Sequence, residues 1–253
     1  MIDSHVHLNH EDYRTDFDAV IARAQKAGVT HMMNIGFDLA SSRETADLAL
    51  KFPFMYGAVG VHPHDAKTYT VEAERELEAL LGEPRIIAVG EIGLDFYRDL
   101  SPRDLQRDVF ARQLELAGRR DVPVIIHCRD AFDETIEVLE QGGRRHRGIF
   151  HAFSGDELMA KKVLGLGFHI GIGGVVTFRN SRLADVVGTL PPESIVLETD
   201  CPYLTPMPYR GKRNEPAYLT YIVDKIAEAT GRPAAEWKDA TDRNFAIAMG
   251  LKN

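Results

Sequence analysis

Two histidines separated by one residue stand near the start of the chain, His5 and His7 in M-I-D-S-H-V-H. In an extended segment side chains alternate, so both imidazoles lie on one side. Four more donors follow at wide intervals: Glu91 after I-I-A-V-G, His127 after V-P-V-I-I, His151 after R-G-I-F and Asp200 after I-V-L-E-T. Four imidazoles and two carboxylates are the donor types that hold divalent ions, and a pair of such ions activates water for hydrolysis. A carboxylate directly behind an apolar strand is costly to desolvate unless a cation meets it, and Gly90 and Gly93 around Glu91 allow close backbone approach. Asp200, ending the last apolar run, could bind an ion and take the proton of an attacking water. Glu91 and Asp200 are therefore the candidate catalytic carboxylates.

No local motif spans donors so far apart in sequence; the elements that carry them must bring them together. Short Val/Ile-rich runs predict eight strands, over residues 1–5, 29–35, 54–61, 86–90, 124–127, 148–151, 168–171 and 194–198. Helical patterns alternate with them over 17–27, 40–51, 71–81, 103–119, 131–140, 157–166 and 181–189. Such alternation implies βαβ units and a parallel sheet. An open doubly wound sheet fits it too, but does not bring the first and last strand ends together. A closed (β/α)₈ TIM barrel does, and presents every strand's C-terminal end on one face. Ala217–Gly250 supplies the eighth helix and an extra C-terminal one, broken at Gly231-Arg232-Pro233. The proline-rich stretch Cys201–Pro216 is long for a loop in a compact fold, and it should overhang that face.

The chain has 253 residues, the usual size of one such barrel, and no linker or repeat divides it, so residues 1–253 read as a single domain. Its formal net charge of −8 argues against a broad nucleic-acid-coating face but not against a locally basic cleft. No window approaches the roughly 20 apolar residues of a membrane span, and the first residues, M-I-D-S-H, lack a basic leader. A cytoplasmic location is expected, where Cys128 and Cys201 would remain reduced thiols.

The motifs D-S-H-V-H, G-V-H-P-H (60–64), G-E-I-G-L-D (90–95), H-C-R-D-A (127–131), H-A-F-S-G (151–155), E-T-D-C-P-Y-L-T-P (198–206) and R-G-K-R-N-E-P (210–216) resemble, in order, those of the TatD family. The resemblance covers the full chain. It implies an amidohydrolase-like barrel with divalent-metal-dependent DNase activity, a 3′→5′ exonuclease using a bridging hydroxide. It also implies one ion on His5, His7, Glu91 and Asp200 and a second on Glu91, His127 and His151, with Glu91 bridging. The ions would be Mg, Mn or Zn; imidazole-rich ligation favours the softer ones, whereas the family activity is associated with Mg²⁺. Ala152 stands where many family members have cysteine, which removes no ligand.

The loops beyond the strand ends suggest the substrate. Arg129, Arg210, Lys212 and Arg213 could hold phosphates, His62 and His64 should rim the same face, and Phe153 could stack on a base. Single-stranded DNA is the expected substrate, with no obligatory protein partner. The residues alone leave a small-molecule ester, lactone or amide open as the alternative.

Overall fold

Eight parallel strands arranged in sequence order β1 to β8 form the sheet. The computed structural model describes residues 1–141 and 143–251. The strands are β1 (Ile2–Val6), β2 (His31–Ile35), β3 (Met55–Val59), β4 (Ile86–Asp95), β5 (Val124–Arg129), β6 (Gly148–Phe150), β7 (Phe168–Ile172) and β8 (Ile195–Leu197). Helices α1 (Phe17–Lys26), α2 (Leu39–Lys51), α3 (Val71–Leu80), α4 (Arg103–Arg120), α5 (Phe132–Gln141), α6 (Glu157–Gly165) and α7 (Leu183–Thr189) alternate with them. They are followed by α8 (Leu219–Thr230) and α9 (Ala234–Met249). This is the TIM barrel expected from the alternation, with its extra helix.

The ring closes between β1 and β8. Val6 bridges Cys201 in parallel, His7 N donates to the Cys201 carbonyl at 2.9 Å, and Asp200 N donates to the His5 carbonyl at 2.9 Å. Buried side chains reinforce the seam. The Asp3 carboxylate accepts from Thr199 N at 2.9 Å and from Thr199 Oγ1 at 2.6 Å, and Ser4 Oγ donates to the Leu197 carbonyl. Closure is what delivers His5, His7 and Asp200 to one point.

Alternation along the strands divides the core in two. Met33, Ile35, Ala58, Ala88, Ile125, Ile149 and Val196 pack with Phe245, Ala248 and Met249, so α9 is packed on the inward-facing cluster of the strands. The outward faces pack under the ring of helices. Most expected strand limits agree with the structure to within a few residues. The exception is β4, which runs five residues past Gly90. A glycine reads as a stop in sequence, but here Gly90 lies against Ile125 and Gly93 against the His127 backbone, where any Cβ would collide. The two glycines therefore let β4 continue beside β5. Among the described residues no helix is long and apolar enough to cross a membrane.

Candidate metal centre

Strand ends from around the ring converge on Glu91. His5 lies in β1 and His7 directly follows it, His62 lies beyond β3, Glu91 in β4, His127 in β5, His151 after β6 and Asp200 after β8. All except His127 are buried. Asp200 (φ 56°) and Ala152 (φ 46°) occupy the left-handed region just past their strands. Such backbone is costly for non-glycine residues and typical of sites where geometry is over-determined.

Glu91 divides its oxygens between two groups of imidazoles. Its Oε2 faces His5 Nε2 at 3.5 Å and His7 Nε2 at 3.8 Å. Asp200 Oδ1 faces the same atoms at 3.7 and 3.5 Å, and the two Nε2 atoms are 3.1 Å apart. Four donors about 2.1 Å from a tetrahedral ion stand about 3.4 Å from one another, so this group has the spacing of a coordination shell. The other oxygen, Oε1, meets His127 Nδ1 at 2.7 Å, His151 Nε2 at 3.1 Å and His62 Nε2 at 3.6 Å. A carboxylate with one oxygen in each group has the disposition required of a bridging ligand. The donor set fits divalent ions.

The charges agree. Burial alone would raise the Glu91 carboxyl, but the neighbouring His151 and His62 outweigh it and hold it well below the usual carboxylate range. Asp200 is likewise lowered against its burial, through its contact with His7 and the charges of His151 and His5. Burial would lower His151, yet Glu91 and Glu198 raise it well above the ordinary imidazole value. Burial keeps His5 and His62 down. The pocket therefore holds ionised carboxylates facing imidazoles, with His5 and His62 kept neutral and His127 and His151 drawn toward the charged form.

The remaining expected residues have varied positions. His62 joins the Glu91 group instead of standing on the rim. His64 Nε2 contacts Asp95 Oδ2 at 2.8 Å, and the same oxygen meets His127 Nε2 at 3.1 Å, so Asp95 anchors both rings. Arg129 is exposed and stacks on Tyr97 at 3.9 Å, while Arg210 covers the Phe178 ring at 4.2 Å. Lys212 is exposed above Tyr209. Two residues are not brought to the open face. Phe153 is buried with its ring against Gly155, and its backbone N donates to the Gly171 carbonyl of β7 at 3.1 Å. Arg213 is taken up by Asp16, with both terminal nitrogens 2.8 Å from its oxygens, and it also lies over Tyr13. Glu198 lies outside the donors that the sequence marks. It is fully buried beside His151. Its position two residues before Asp200 on an apolar run was the available signal.

A sequence model of the family described as TatD related DNase matches residues 2–250. The chain belongs to the TatD family. A relative from Bacillus subtilis, named uncharacterized metal-dependent hydrolase YabD, is 38% identical over 246 residues, covering 96% of each chain. A 3′-5′ ssDNA/RNA exonuclease TatD from Escherichia fergusonii is 35% identical, covering 99% of each. The crystal structure of YjjV, a TatD homologue from Escherichia coli, superposes with a TM-score of 0.94 at 30% identity, over 100% of this chain and 98% of that one. This TatD-family chain is a metal-dependent hydrolase, and its candidate centre lies at the strand ends where TIM-barrel enzymes carry their active sites.

Proposed function

We propose that this chain is a divalent-metal-dependent 3′→5′ exonuclease acting on single-stranded DNA. One ion would be held by His5, His7, Glu91 and Asp200, and a second by Glu91, His127 and His151 with His62 beside them. The observation that carries this reading is the division of the two Glu91 oxygens between two imidazole groups. Full-length relatives named as ssDNA/RNA exonucleases support the substrate. Divalent ions held by these residues would supply an acidified water and neutralise charge on the attacked phosphate. Their identity, Mg, Mn or Zn, is left to the assay below.

The chain's own groups do the rest. Asp200, ionised and buried at the mouth of the barrel, orients the nucleophilic water and accepts its proton at the carboxylate oxygen that does not face His5 and His7. Asp95 holds His64 and His127 in fixed orientations. Arg129 at the end of β5, and Arg210 and Lys212 on the loop after β8, are exposed where they can pair with phosphates flanking the cleaved bond. Tyr203, its ring centroid 5.9 Å from His7, offers a face for the terminal base.

The test is hydrolysis of a 3′-labelled single-stranded oligonucleotide by chelator-treated protein, with Mg²⁺, Mn²⁺ or Zn²⁺ restored and Asp200→Asn as control. Metal-restored, Asp200-dependent release of mononucleotides from the 3′ end is expected. Absence of release with every metal would overturn the nuclease reading and move the substrate to a small ester or amide.

A further inference from the structure

Glu198 is a fully buried carboxylate with no part in the chemistry described above. Its Oε1 accepts from Ala152 N at 2.5 Å and lies 3.3 Å from His151 Nδ1, without that nitrogen pointing straight at it. Among the described residues its Oε2 has no hydrogen-bond partner, and neither has His5 Nδ1, although both are buried. The His5 and His151 rings stack with centroids 3.7 Å apart and planes 18° from parallel. One donor atom from each of His5, His151 and Glu198 lies within 4.8 Å of the others. Room for the carboxylate comes from β7, because a Cβ at Gly171 would collide with Glu198 Oε2.

Imidazole chemistry gives this arrangement a purpose. His5 and His151 both direct Nε2 toward Glu91. An Nε2 lone pair is free for an ion only when the proton sits on Nδ1, and a buried Nδ1–H requires an acceptor. In both rings Nδ1 is buried, and Glu198 supplies the carboxylate nearest His151 Nδ1. One His5 ring nitrogen also lies within 4.8 Å of a Glu198 oxygen, a separation that one bridging water can span.

We propose that Glu198 is a positioning residue that sets the tautomer and ring orientation of one histidine in each of the two ligand groups. This rests on the ligand reading above. Ligand sets stop short of such partners, yet their loss typically lowers metal affinity by about 10- to 100-fold. Because His5 and His151 belong to different groups, removal of Glu198 weakens both ions together, whereas removal of His127 weakens chiefly one.

The experiment is Mn²⁺ binding to the chelated full-length protein, followed by electron paramagnetic resonance, alongside thermal unfolding without metal. Glu198→Ala is expected to fold cooperatively and to bind both ions about 10- to 100-fold more weakly. Glu198→Gln keeps the volume and one acceptor oxygen and should recover part of the affinity. Gly171→Ala retains the carboxylate but displaces it, and is expected to weaken both ions as well. Wild-type affinity in folded Glu198→Ala, or weakening of one ion class only, would overturn the assignment. So would a loss of stability with affinity unchanged, since that would mark a merely structural carboxylate. No nucleic acid enters the measurement. If wild-type protein binds Mn²⁺ but cleaves no oligonucleotide, the exonuclease reading fails and this one stands.

Discussion

Asp200 is 8% exposed yet stays ionised, because His7 contacts its carboxylate and the His151 and His5 charges offset the cost of burial. A carboxylate held in the acceptor state beside a shell of imidazoles suits proton transfer from water. Positioned general bases contribute about 10²- to 10⁴-fold to rate. Asp200→Asn should therefore lose about that much kcat while still unfolding cooperatively, as read by single-turnover kinetics and calorimetry on the same sample. A loss below tenfold would remove Asp200 from proton transfer. At this scale the sequence was informative wherever a donor ended an apolar run, as His127, His151 and Asp200 do. It was silent on Glu198, whose neighbours come from β6 and β7, and it could not show that Arg213 is engaged by Asp16. Those facts depend on which elements lie side by side in space.

At the scale of elements, two devices hold the site. The first is the pair of glycines in β4. Gly93 has φ of 142°, and a Cβ there would strike the His127 carbonyl. Gly93→Ala combines backbone strain with a steric clash, for an expected cost of about 3 kcal/mol, measurable by urea unfolding. A near-neutral effect would show that β4 can shift away from β5. The second is the strap binding the 201–216 segment to α1. Arg213 pairs with Asp16, Arg23 contacts Glu215 at 2.6 Å, and Tyr13 Oη donates to the Asn214 carbonyl. Hydrogen bonds from Arg213 outweigh the slight burial of Asp16 and lower its carboxyl from 3.8 to about 2. An acid lowered on folding stabilises above its unfolded value and loses that contribution as pH falls through the folded one. Asp16→Asn should thus be less stable at pH 6 by under about 1 kcal/mol, since the pair is partly exposed. The deficit should shrink between pH 4 and 2 and disappear below about 2. A pH-independent deficit would mean that the ion pair is not its source. Strand and helix order was legible in the periodicity, but the strap was not: its partners lie about two hundred residues apart, and only barrel closure makes them neighbours.

The whole molecule separates a chemical end from a stabilising one. At the chemical end, donors drawn from or just beyond β1, β3, β4, β5, β6 and β8 meet around Glu91. In the second cluster, Phe245, Ala248 and Met249 of α9 pack against inward residues of six strands. Truncating a buried aromatic costs about 3–5 kcal/mol, so Phe245→Ala should lower stability without changing kcat. The donor cluster makes the opposite prediction. Its six elements lie far apart in the unfolded chain, so ions bind the native state and stabilise it by mass action. At a free concentration a hundred times Kd, this amounts to about 2.7 kcal/mol. In a protein of this length each kcal/mol moves Tm by about 2–4 °C, so saturation with Mn²⁺ should raise the Tm of chelated protein by about 5–11 °C. Distant, independent sites contribute additively. Phe245→Ala should therefore melt lower but show the same metal-induced rise, whereas Glu91→Gln should lose most of it. Chelated and Mn²⁺-saturated protein melting together would mean that the converging donors hold no ion in the native state. The hydrolytic centre would then have to be sought elsewhere on the barrel.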